Sequence, residues 1–137
     1  MGVFRIFLLI GNLLKNFSYY EVQCFCRCCA SCISLKLIEK QQHVRDVINK
    51  SITITSGVRF ELFNPKIKGS LVSSHMLNDG WVGLAINIAC TTSQARYQMI
   101  NVVIKLFRRI GIAGEHLGNF IHLGVDPYKT QDVIWTY

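Results

Sequence analysis

The segment SGVRFELFNPKIKGSLVSSH, residues 56–75, combines residue types that rarely serve a hydrophobic core. It directly follows ITIT (52–55), whose alternating β-branched residues predict a strand. The pattern S-G-x-R therefore falls near a strand end, and N-P, G-S and S-S-H come after it. Small hydroxyl residues, a fixed positive charge and a histidine so close together predict the wall of a site.

A second strand is predicted at GLAINIAC (83–90), where large and small side chains alternate. Its two faces consist of Leu84, Ile86 and Ile88 on one side and Ala85, Asn87 and Ala89 on the other. The face with the large residues predicts a contact with the core. The face with the small residues is nearly bare and leaves space above the sheet.

Two amphipathic helices are predicted, over LKLIEKQQHVRDVINK (35–50) and SQARYQMINVVIKLFRR (93–109). The buried stripe of the first is Leu37, Gln41, Val44 and Ile48, with Ile38 and Val47 beside it. Ser93 is the expected cap of the second helix. Its expected buried residues are Ala95, Met99, Val102, Val103 and Leu106, and its basic end is Lys105, Arg108 and Arg109. Positive charge at that end would complement the helix dipole.

Two closing strands are predicted at FIHLGV (120–125) and VIWTY (133–137), joined by a turn at D-P-Y-K. The strands therefore follow one another mostly through hairpins, and helices are mixed among them. This order predicts an α+β fold in which a small, mostly antiparallel sheet is flanked by helices.

The composition favours a folded domain with a basic surface. Half of the 137 residues are hydrophobic, which is enough for a packed core. Fifteen Lys and Arg against eight Asp and Glu favour a polyanionic partner, such as a nucleic acid, an anionic membrane or an acidic cell-wall polymer. The sequence has neither an arginine-rich run nor aromatic residues interleaved with basic ones, so we expect no nucleic-acid partner.

Residues 1–34 are predicted to be a hydrophobic, cysteine-rich leader or appendage to a domain over residues 35–137. The apolar run within residues 3–14 is too short to span a bilayer as a helix, and it is the segment through which a membrane contact would form. It has the length of a signal-peptide core, but only Arg5 precedes it as a basic residue. Five of the six cysteines lie in Cys24–Cys32, which is either a lineage-specific feature of the leader or a soft-metal site.

Two histidines stand out by their context. His75 ends the S-S-H segment, and His122 lies in the middle of a predicted strand, on the side opposite to its large aliphatic neighbours. Imidazole is a favoured zinc ligand, and catalytic zinc sites use three protein ligands. The alternative for His122 is an ordinary half-buried strand residue. His43 and His116 fall on a helix and in a glycine-flanked loop, where we expect them to be solvated.

The segment 56–75 resembles the S-G-Y-R…N…V-G-G-S…S-x-H segment of the zinc D-Ala-D-Ala carboxypeptidase and hedgehog-type peptidases. The most similar branch is that of the phage endolysins and small murein peptidases. GLAIN (83–87) is similar to the family's G-x-A-x-D, RRIGIA…NFIH to its R-I-G-I…F-I-H, and DPYKTQDVIWTY to the tail of phage members. The matching residues of the first block are Ser56, Gly57, Arg59, Asn64, Gly69, Ser70, Ser73 and His75.

The resemblance implies a Zn²⁺ site and a hedgehog/DD-peptidase-like sheet. The implied zinc ligands are His75, Asn87 and His122, and the implied substrate-binding residues are Arg59 and Ser73. The fixed charge of Arg59 suits a substrate carboxylate or a developing oxyanion. The implied partner is a peptidoglycan peptide, and the implied location is the bacterial cell envelope or a phage-infected host cell.

Two positions depart from the family, because Asn87 and Asn119 are amides where it has acids. An amide oxygen can coordinate a cation but is neutral, and the amide at Asn119, the family's general acid/base position, cannot take up a proton at neutral pH. Glu115, in the inserted GEHLG, and Asp126 are alternative proton carriers. Asp79, in a long spacer after the S-S-H segment, is either a substitute carboxylate or a residue of an N-D-G turn.

Two functions therefore stay open. The first is a zinc-dependent peptidase of D-Ala-D-Ala carboxypeptidase or endolysin type that cleaves peptidoglycan stem peptides. The second is a catalytically impaired homologue that binds cell-wall peptide or a protein without hydrolysis. A third, non-enzymatic alternative is a membrane-associated basic protein whose folded part is a scaffold. We expect a monomer.

Overall fold

The structure, a computed structural model, describes residues 19–22, 33–59, 73–76 and 82–137. The apolar run at 3–14, the cysteine cluster, residues 60–72 and Asp79 lie outside these ranges. Within them, no helix has both the length and the apolar character needed to cross a bilayer.

One five-stranded sheet forms the centre of the fold, with the strand order β1-β2-β4-β3-β5. The strands are β1 Ile54–Ser56, β2 Ala85–Ala89, β3 Arg109–Ile112, β4 Phe120–Gly124 and β5 Val133–Thr136. Neighbouring strands are antiparallel except β3 and β5, which are parallel. The predicted α+β class with a mostly antiparallel sheet is confirmed.

Two longer helices pack on one face of this sheet, α2 (Leu35–Ile48) and α3 (Ser93–Val103). The chain also has a single helical turn, α1 (Tyr19–Val22), and a 3-10 turn at Glu115–Leu117. Buried residues of the helices and of the strands form one cluster that includes Leu37, Ile38, Val44, Ile86, Ile88, Met99, Val103, Ile110, Ile121 and Leu123. Because side chains alternate along a strand, the residues between these strand positions face the other side of the sheet.

The short helix α1 packs against the body of the fold, although it lies within the predicted leader. Val22 is part of the core cluster, and its carbonyl accepts a hydrogen bond of 2.8 Å from the backbone N–H of Val58. Glu21 pairs with Arg45 of α2 at 2.9 Å, and Arg45 also donates to the carbonyl of Ile52 at 2.7 Å. A domain boundary at residue 35 stays a prediction, but Glu21 and Val22 contact the residues beyond it.

The helices differ from the prediction in the buried residues at the end of α2 and in the first and last residues of α3. On α2, Val47 is 55% exposed, and Arg45 is buried instead, because Glu21 offsets its charge. The cap of α3 is Thr92 rather than Ser93, since the Thr92 hydroxyl accepts the N–H of Ala95 at 3.1 Å. The predicted Ser93 cap is therefore wrong by one residue.

The helix α3 ends at Val103, six residues before the predicted end at Arg109. Lys105, Arg108 and Arg109 therefore lie beyond its last turn and do not complement its dipole. The chain leaves the helix here because Phe107 is buried in the core and the next residues pair in the sheet as β3.

The two predicted closing strands and the turn between them are present, but β5 pairs with β3 and not with β4, so the two strands do not form a hairpin. Gln131 lies in the connection between β4 and β5. Its side-chain amide donates hydrogen bonds to the carbonyls of Asp126 and Lys129, at 2.8 and 2.6 Å, and these bonds hold the turn together. Both edges of β4 are already paired, with β2 and with β3, so β5 pairs with the remaining edge of β3.

In the part of the core that the structure describes, the side-chain amide of Gln41 has no hydrogen-bond partner, which leads to a stability prediction. Gln41 is 0% exposed, and neither its Oε1 nor its Nε2 has a hydrogen-bond partner. A buried, unsatisfied amide costs about 1–3 kcal/mol. We therefore expect Gln41→Met to raise the free energy of unfolding by about 1–2 kcal/mol, measured by urea denaturation.

The matched control is Gln42→Met, one residue along the same helix. Gln42 donates to Asp46 at 2.9 Å on the exposed side, so we expect a change of less than about 0.5 kcal/mol. A loss of stability in Gln41→Met that exceeds the loss in the control would contradict the prediction.

Candidate metal centre

Three buried side chains bring their donor atoms together above the sheet. Nε2 of His75 lies 3.1 Å from Oδ1 of Asn87 and 3.1 Å from Nδ1 of His122. The Asn87 oxygen and the His122 nitrogen are 3.0 Å apart. The three atoms thus form a nearly equilateral triangle, in side chains that are 2–8% exposed. We call His75, Asn87 and His122 the donor triad.

The sheet register places two members of the donor triad. Asn87 of β2 lies opposite His122 of β4, and His122 lies opposite Gly111 of β3. The same row continues from Asn87 to Ser56 at one end and from Gly111 to Trp135 at the other. All five residues face away from the helices, because their strand neighbours fill the core.

The third member, His75, is held by the S-G-x-R segment. Its Nδ1–H donates to the carbonyl of Gly57 at 2.8 Å, and its own carbonyl accepts the N–H of Arg59 at 2.8 Å. The side-chain Nε–H of Arg59 donates to the hydroxyl of Ser56 at 3.2 Å. Each residue named in the S-G-x-R pattern therefore has a definite contact, and together they fix the direction of the His75 ring.

The S-S-H segment completes the support of His75. The Ser73 hydroxyl accepts the backbone N–H of His75 at 3.2 Å, and the Ser74 hydroxyl donates to Oδ2 of Asp126 at 2.7 Å. Ser73 and Ser74 are both buried. Ser73, which the resemblance implies as a substrate-binding residue, thus holds the backbone of a member of the donor triad.

Gly57 is the position of the S-G-x-R segment where a larger residue has no room. A Cβ atom there would lie 2.3 Å from the carbonyl oxygen of Val22, which is a backbone atom and cannot rotate away. We expect Gly57→Ala to separate α1 from β1 and to lower the free energy of unfolding by about 2–4 kcal/mol. Urea denaturation measures this loss.

The control for this prediction is Gly114→Ala. A Cβ atom at Gly114 would meet only the His116 ring, at 3.6 Å, which is an ordinary contact. We expect the control to change stability by less than about 1 kcal/mol. Equal stability of the two variants would contradict the close approach of Val22 to Gly57.

Burial keeps both histidines of the donor triad neutral. It is the main cause that lowers the pKa of His75 to about 3, and the positive charge of Arg59 lowers it further. The pKa of His122 is also lowered well below its ordinary value, first by burial and then by its basic neighbours His75, Arg59, Arg109 and Lys129. At neutral pH both rings therefore present unprotonated nitrogens, which is the form that binds metals.

The donor triad fits a zinc ion in both distance and chemistry. Tetrahedral zinc with bonds of 2.0–2.1 Å has its ligand atoms roughly 3.3–3.4 Å apart, a few tenths of an ångström more than the triangle. The proton of neutral His75 is on Nδ1, so its Nε2 and the Asn87 oxygen face each other as two acceptors. A cation satisfies such a pair. In the described ranges, no three residues of the types His, Cys, Asp and Glu lie close enough together to hold a metal ion. The reason at this site is that the third donor is the amide of Asn87.

Asn119 does not join the donor triad. Its side-chain oxygen accepts a hydrogen bond of 3.4 Å from Nη2 of Arg96, on the helix α3. Its backbone has a positive φ of 52°, and its carbonyl accepts the N–H of Cys90. Asparagine tolerates this left-handed conformation better than most residues, which accounts for the amide here. The structure therefore places the Asn119 side chain beside Arg96, on the helix side of β4.

The carboxylate of Asp126 is engaged in structural contacts. Its Oδ2 accepts the hydroxyl of Ser74, and its Oδ1 accepts the backbone N–H of Tyr128 at 3.0 Å. Asp126 thus ties the S-S-H segment to the connection after β4. Glu115 is exposed in the 3-10 turn, and no contact with the donor triad is found for it. Asp79 lies outside the described residues.

Sequence reasoning missed the aromatic and basic neighbours of the donor triad. The ring of Trp135 lies 5.3 Å from the ring of His122, and the guanidinium of Arg109 lies 5.2 Å from the Trp135 ring. The signal that could have found them is the strand register, because Gly111 joins His122 to Trp135 in one row. Predicting that register requires β3, but the sequence pattern assigns Arg109, the first residue of β3, to the preceding helix.

A comparison with models of known protein families matches most of the chain. The family model described as Peptidase M15 matches residues 15–124, which include every member of the donor triad as well as α1. A search among curated proteins finds no match to this chain. M15 peptidases are metallopeptidases that generally depend on zinc, and they include the zinc D-Ala-D-Ala carboxypeptidases. Because the match covers most of the chain, the protein belongs to the peptidase M15 family.

Proposed function

We propose that this protein is a zinc-dependent peptidase that hydrolyses peptide bonds in the stem peptides of peptidoglycan. The observation that carries the proposal is the donor triad, in which two neutral imidazoles and an amide oxygen converge within 3.1 Å of one another. Membership of the M15 family supports the same reaction class. The proposed place of action is the bacterial cell envelope or a phage-infected host cell.

His75, Asn87 and His122 would hold the zinc ion through Nε2, Oδ1 and Nδ1. Bound zinc supplies a Lewis acid that polarises a peptide carbonyl and makes water more acidic. The Gly57 carbonyl fixes the tautomer and direction of His75, as partners of metal-binding histidines commonly do. Arg59, whose charge reaches both histidines, would bind a substrate carboxylate or a developing oxyanion.

A peptidase of this kind needs a proton acceptor for the attacking water, and Glu115 and Asp126 are the predicted ones. Within the described ranges, Asn119 bonds to Arg96, both oxygens of Asp126 accept hydrogen bonds, and Glu115 is exposed. The roles of Glu115 and Asp126 as proton carriers, and of Asp79 as a substitute carboxylate, therefore stay predictions.

A second candidate function is binding of cell-wall peptide without hydrolysis. It is favoured by the neutral Asn87 in the donor triad, because an amide donor leaves a bound zinc ion with no compensating negative charge. Under this candidate the protein binds zinc weakly and still binds the peptide.

Zinc content and hydrolysis of purified peptidoglycan distinguish the two candidates. The full-length protein is dialysed against zinc, its bound metal is determined by mass spectrometry, and release of peptides is followed by chromatography. One zinc per chain with chelator-sensitive release supports the peptidase. Binding to peptidoglycan without peptide release supports the second candidate, and the absence of both zinc and peptidoglycan binding contradicts both.

A further inference from the structure

A groove lies on the helix side of the sheet, between α2 and the strand β5. It has a volume of about 430 Å³ and is lined by Lys40 of α2, by the connection 104–108 after α3 and by residues 132–134. We call it the β5 groove. The donor triad faces the other side of the sheet, so the β5 groove is separate from the metal centre.

The apolar residues of the β5 groove are only partly covered. Ile134 lies opposite Ile110 in the register, so its side chain points to the helix side of the sheet, yet it is 50% exposed. Ile104, which also lines the groove, is 51% exposed. The helices α2 and α3 therefore leave apolar surface uncovered beside β5.

The strand β5 has an open backbone edge next to this groove. In the described ranges, β5 is the outer strand of the sheet and pairs with β3 alone. The N–H groups of Val133 and Tyr137 donate towards β3, so those of Ile134 and Thr136 point outward, because the direction alternates along a strand. Edge strands are commonly protected by Lys or Pro, and residues 133–136 contain neither.

The rim of the β5 groove is positively charged. Lys40 and Lys105 both line it, and the acidic residue among its described lining residues, Asp132, is paired with Arg108 at 2.6 Å. One N–H group of the Lys40 ammonium donates to the carbonyl of Leu106, and an ammonium has three such groups. The groove therefore combines apolar surface, an open strand edge and lysines that attract carboxylates.

Charge indicates that the occupant is another protein rather than this chain. A second copy carries a net charge of +7 and would bring positive charge to a positive rim. A lipid head group would match the charge but has no backbone to pair with a strand edge. The segments outside the described ranges are basic too, with Arg5, Lys15, Arg27, Lys66 and Lys68 against Glu61 and Asp79.

We propose that the β5 groove and the outer edge of β5 bind an extended acidic segment of another protein, which adds to the sheet as a sixth strand. Its backbone pairs with Ile134 and Thr136, as in other cases of strand addition to an open edge. Its side chains alternate between the two faces of the sheet. Those on the helix side enter the groove, where apolar ones contact Ile134 and acidic ones approach Lys40 and Lys105.

The probe for this site is a fluorescein-labelled peptide of alternating glutamate and valine, titrated with the full-length protein and followed by fluorescence anisotropy. We expect Lys105→Glu to weaken its binding about tenfold, because the change removes an attraction and adds a repulsion. Lys50→Glu is the matched control. Lys50 is equally exposed but lies just beyond the end of α2 and outside the groove, so we expect less than about a twofold change.

The backbone pairing is tested by changing the probe, which avoids any protein variant that fails to fold. One peptide is N-methylated at every valine and another at every glutamate. Because the N–H groups of alternate residues point to opposite sides of a strand, only one of these two sets faces β5. We therefore expect one methylated peptide to bind at least about tenfold less tightly than the other.

Four outcomes would overturn the proposal: no binding of the acidic peptide, equally tight binding of a lysine–valine peptide, equal losses in Lys105→Glu and Lys50→Glu, or equal binding of the two methylated peptides. Binding of phosphatidylglycerol vesicles without binding of the peptide would make the groove a membrane contact instead. Zinc binding should be the same in Lys105→Glu and the wild type, because the donor triad lies on the other face of the sheet. Failure of this proposal therefore leaves the proposed peptidase function standing.

Discussion

Replacing His122 with alanine is expected to abolish tight zinc binding and all peptide hydrolysis. The substitution removes one of three donor atoms and leaves Nε2 of His75 facing the Asn87 oxygen alone. Loss of residues that merely orient metal ligands already costs about 10–100-fold in affinity. We therefore expect the loss of a ligand to weaken zinc binding by more than about a hundredfold, measured by competition with a fluorescent chelator.

Two controls separate loss of the ligand from loss of the fold. His116→Ala changes an exposed histidine in the 3-10 turn and should leave zinc affinity and hydrolysis unchanged. Urea denaturation of metal-free His122→Ala then shows whether the domain still folds, since a buried side chain has been shortened. Zinc affinity equal to that of the wild type in a folded His122→Ala protein would remove His122 from the metal centre.

Strand alternation in the sequence predicts the positions of two members of the donor triad but not of the third. Alternation along β2 and β4 is enough to put Asn87 and His122 on the face opposite to the core, and the structure places them opposite each other. His75 could not be placed by periodicity, because it lies in an irregular segment. Its position depends on a contact with Gly57, 18 residues earlier in the chain, and only the resemblance to a family suggested it.

The failures of sequence reasoning share one cause, which is that tertiary contacts override local preference. The helical pattern continues through residues 104–109, but burial of Phe107 and pairing of β3 with β4 end α3 at Val103. The D-P-Y-K turn suggested a hairpin, yet β5 finds its partner in β3. Trp135 lies beside the donor triad only because of these two long-range pairings, so no local pattern could have placed it there.

Asn119 differs from Asn87 in its surroundings. Aligned with a family motif, it occupies the acid/base position, but alternation along β4 puts it on the side of Ile121 and Leu123, which face the core. Its side-chain oxygen accepts a hydrogen bond from Arg96 of α3, and its backbone has a positive φ. Two amides that look equivalent in the sequence therefore have different environments, and this difference can be tested.

Replacing Asn87 with aspartate is expected to raise zinc affinity by about a hundredfold, or ~3 kcal/mol. The substitution keeps the shape of the side chain and puts a negative charge on the oxygen that already faces both histidines. Asn119→Asp is the matched control. It adds the same charge to the same chain, but beside Arg96, and should change zinc affinity by less than about twofold because the side chain faces the helix.

The pair of variants also bears on the proposed function. If weak zinc binding limits hydrolysis, Asn87→Asp should increase peptide release at low zinc concentration and have little effect at saturating zinc. A gain in zinc affinity from Asn119→Asp that equals the gain from Asn87→Asp would contradict the placement of Asn119 on the helix side. No gain from Asn87→Asp would contradict the donor triad itself, because a carboxylate at a true ligand position cannot be a poorer zinc donor than the amide it replaces.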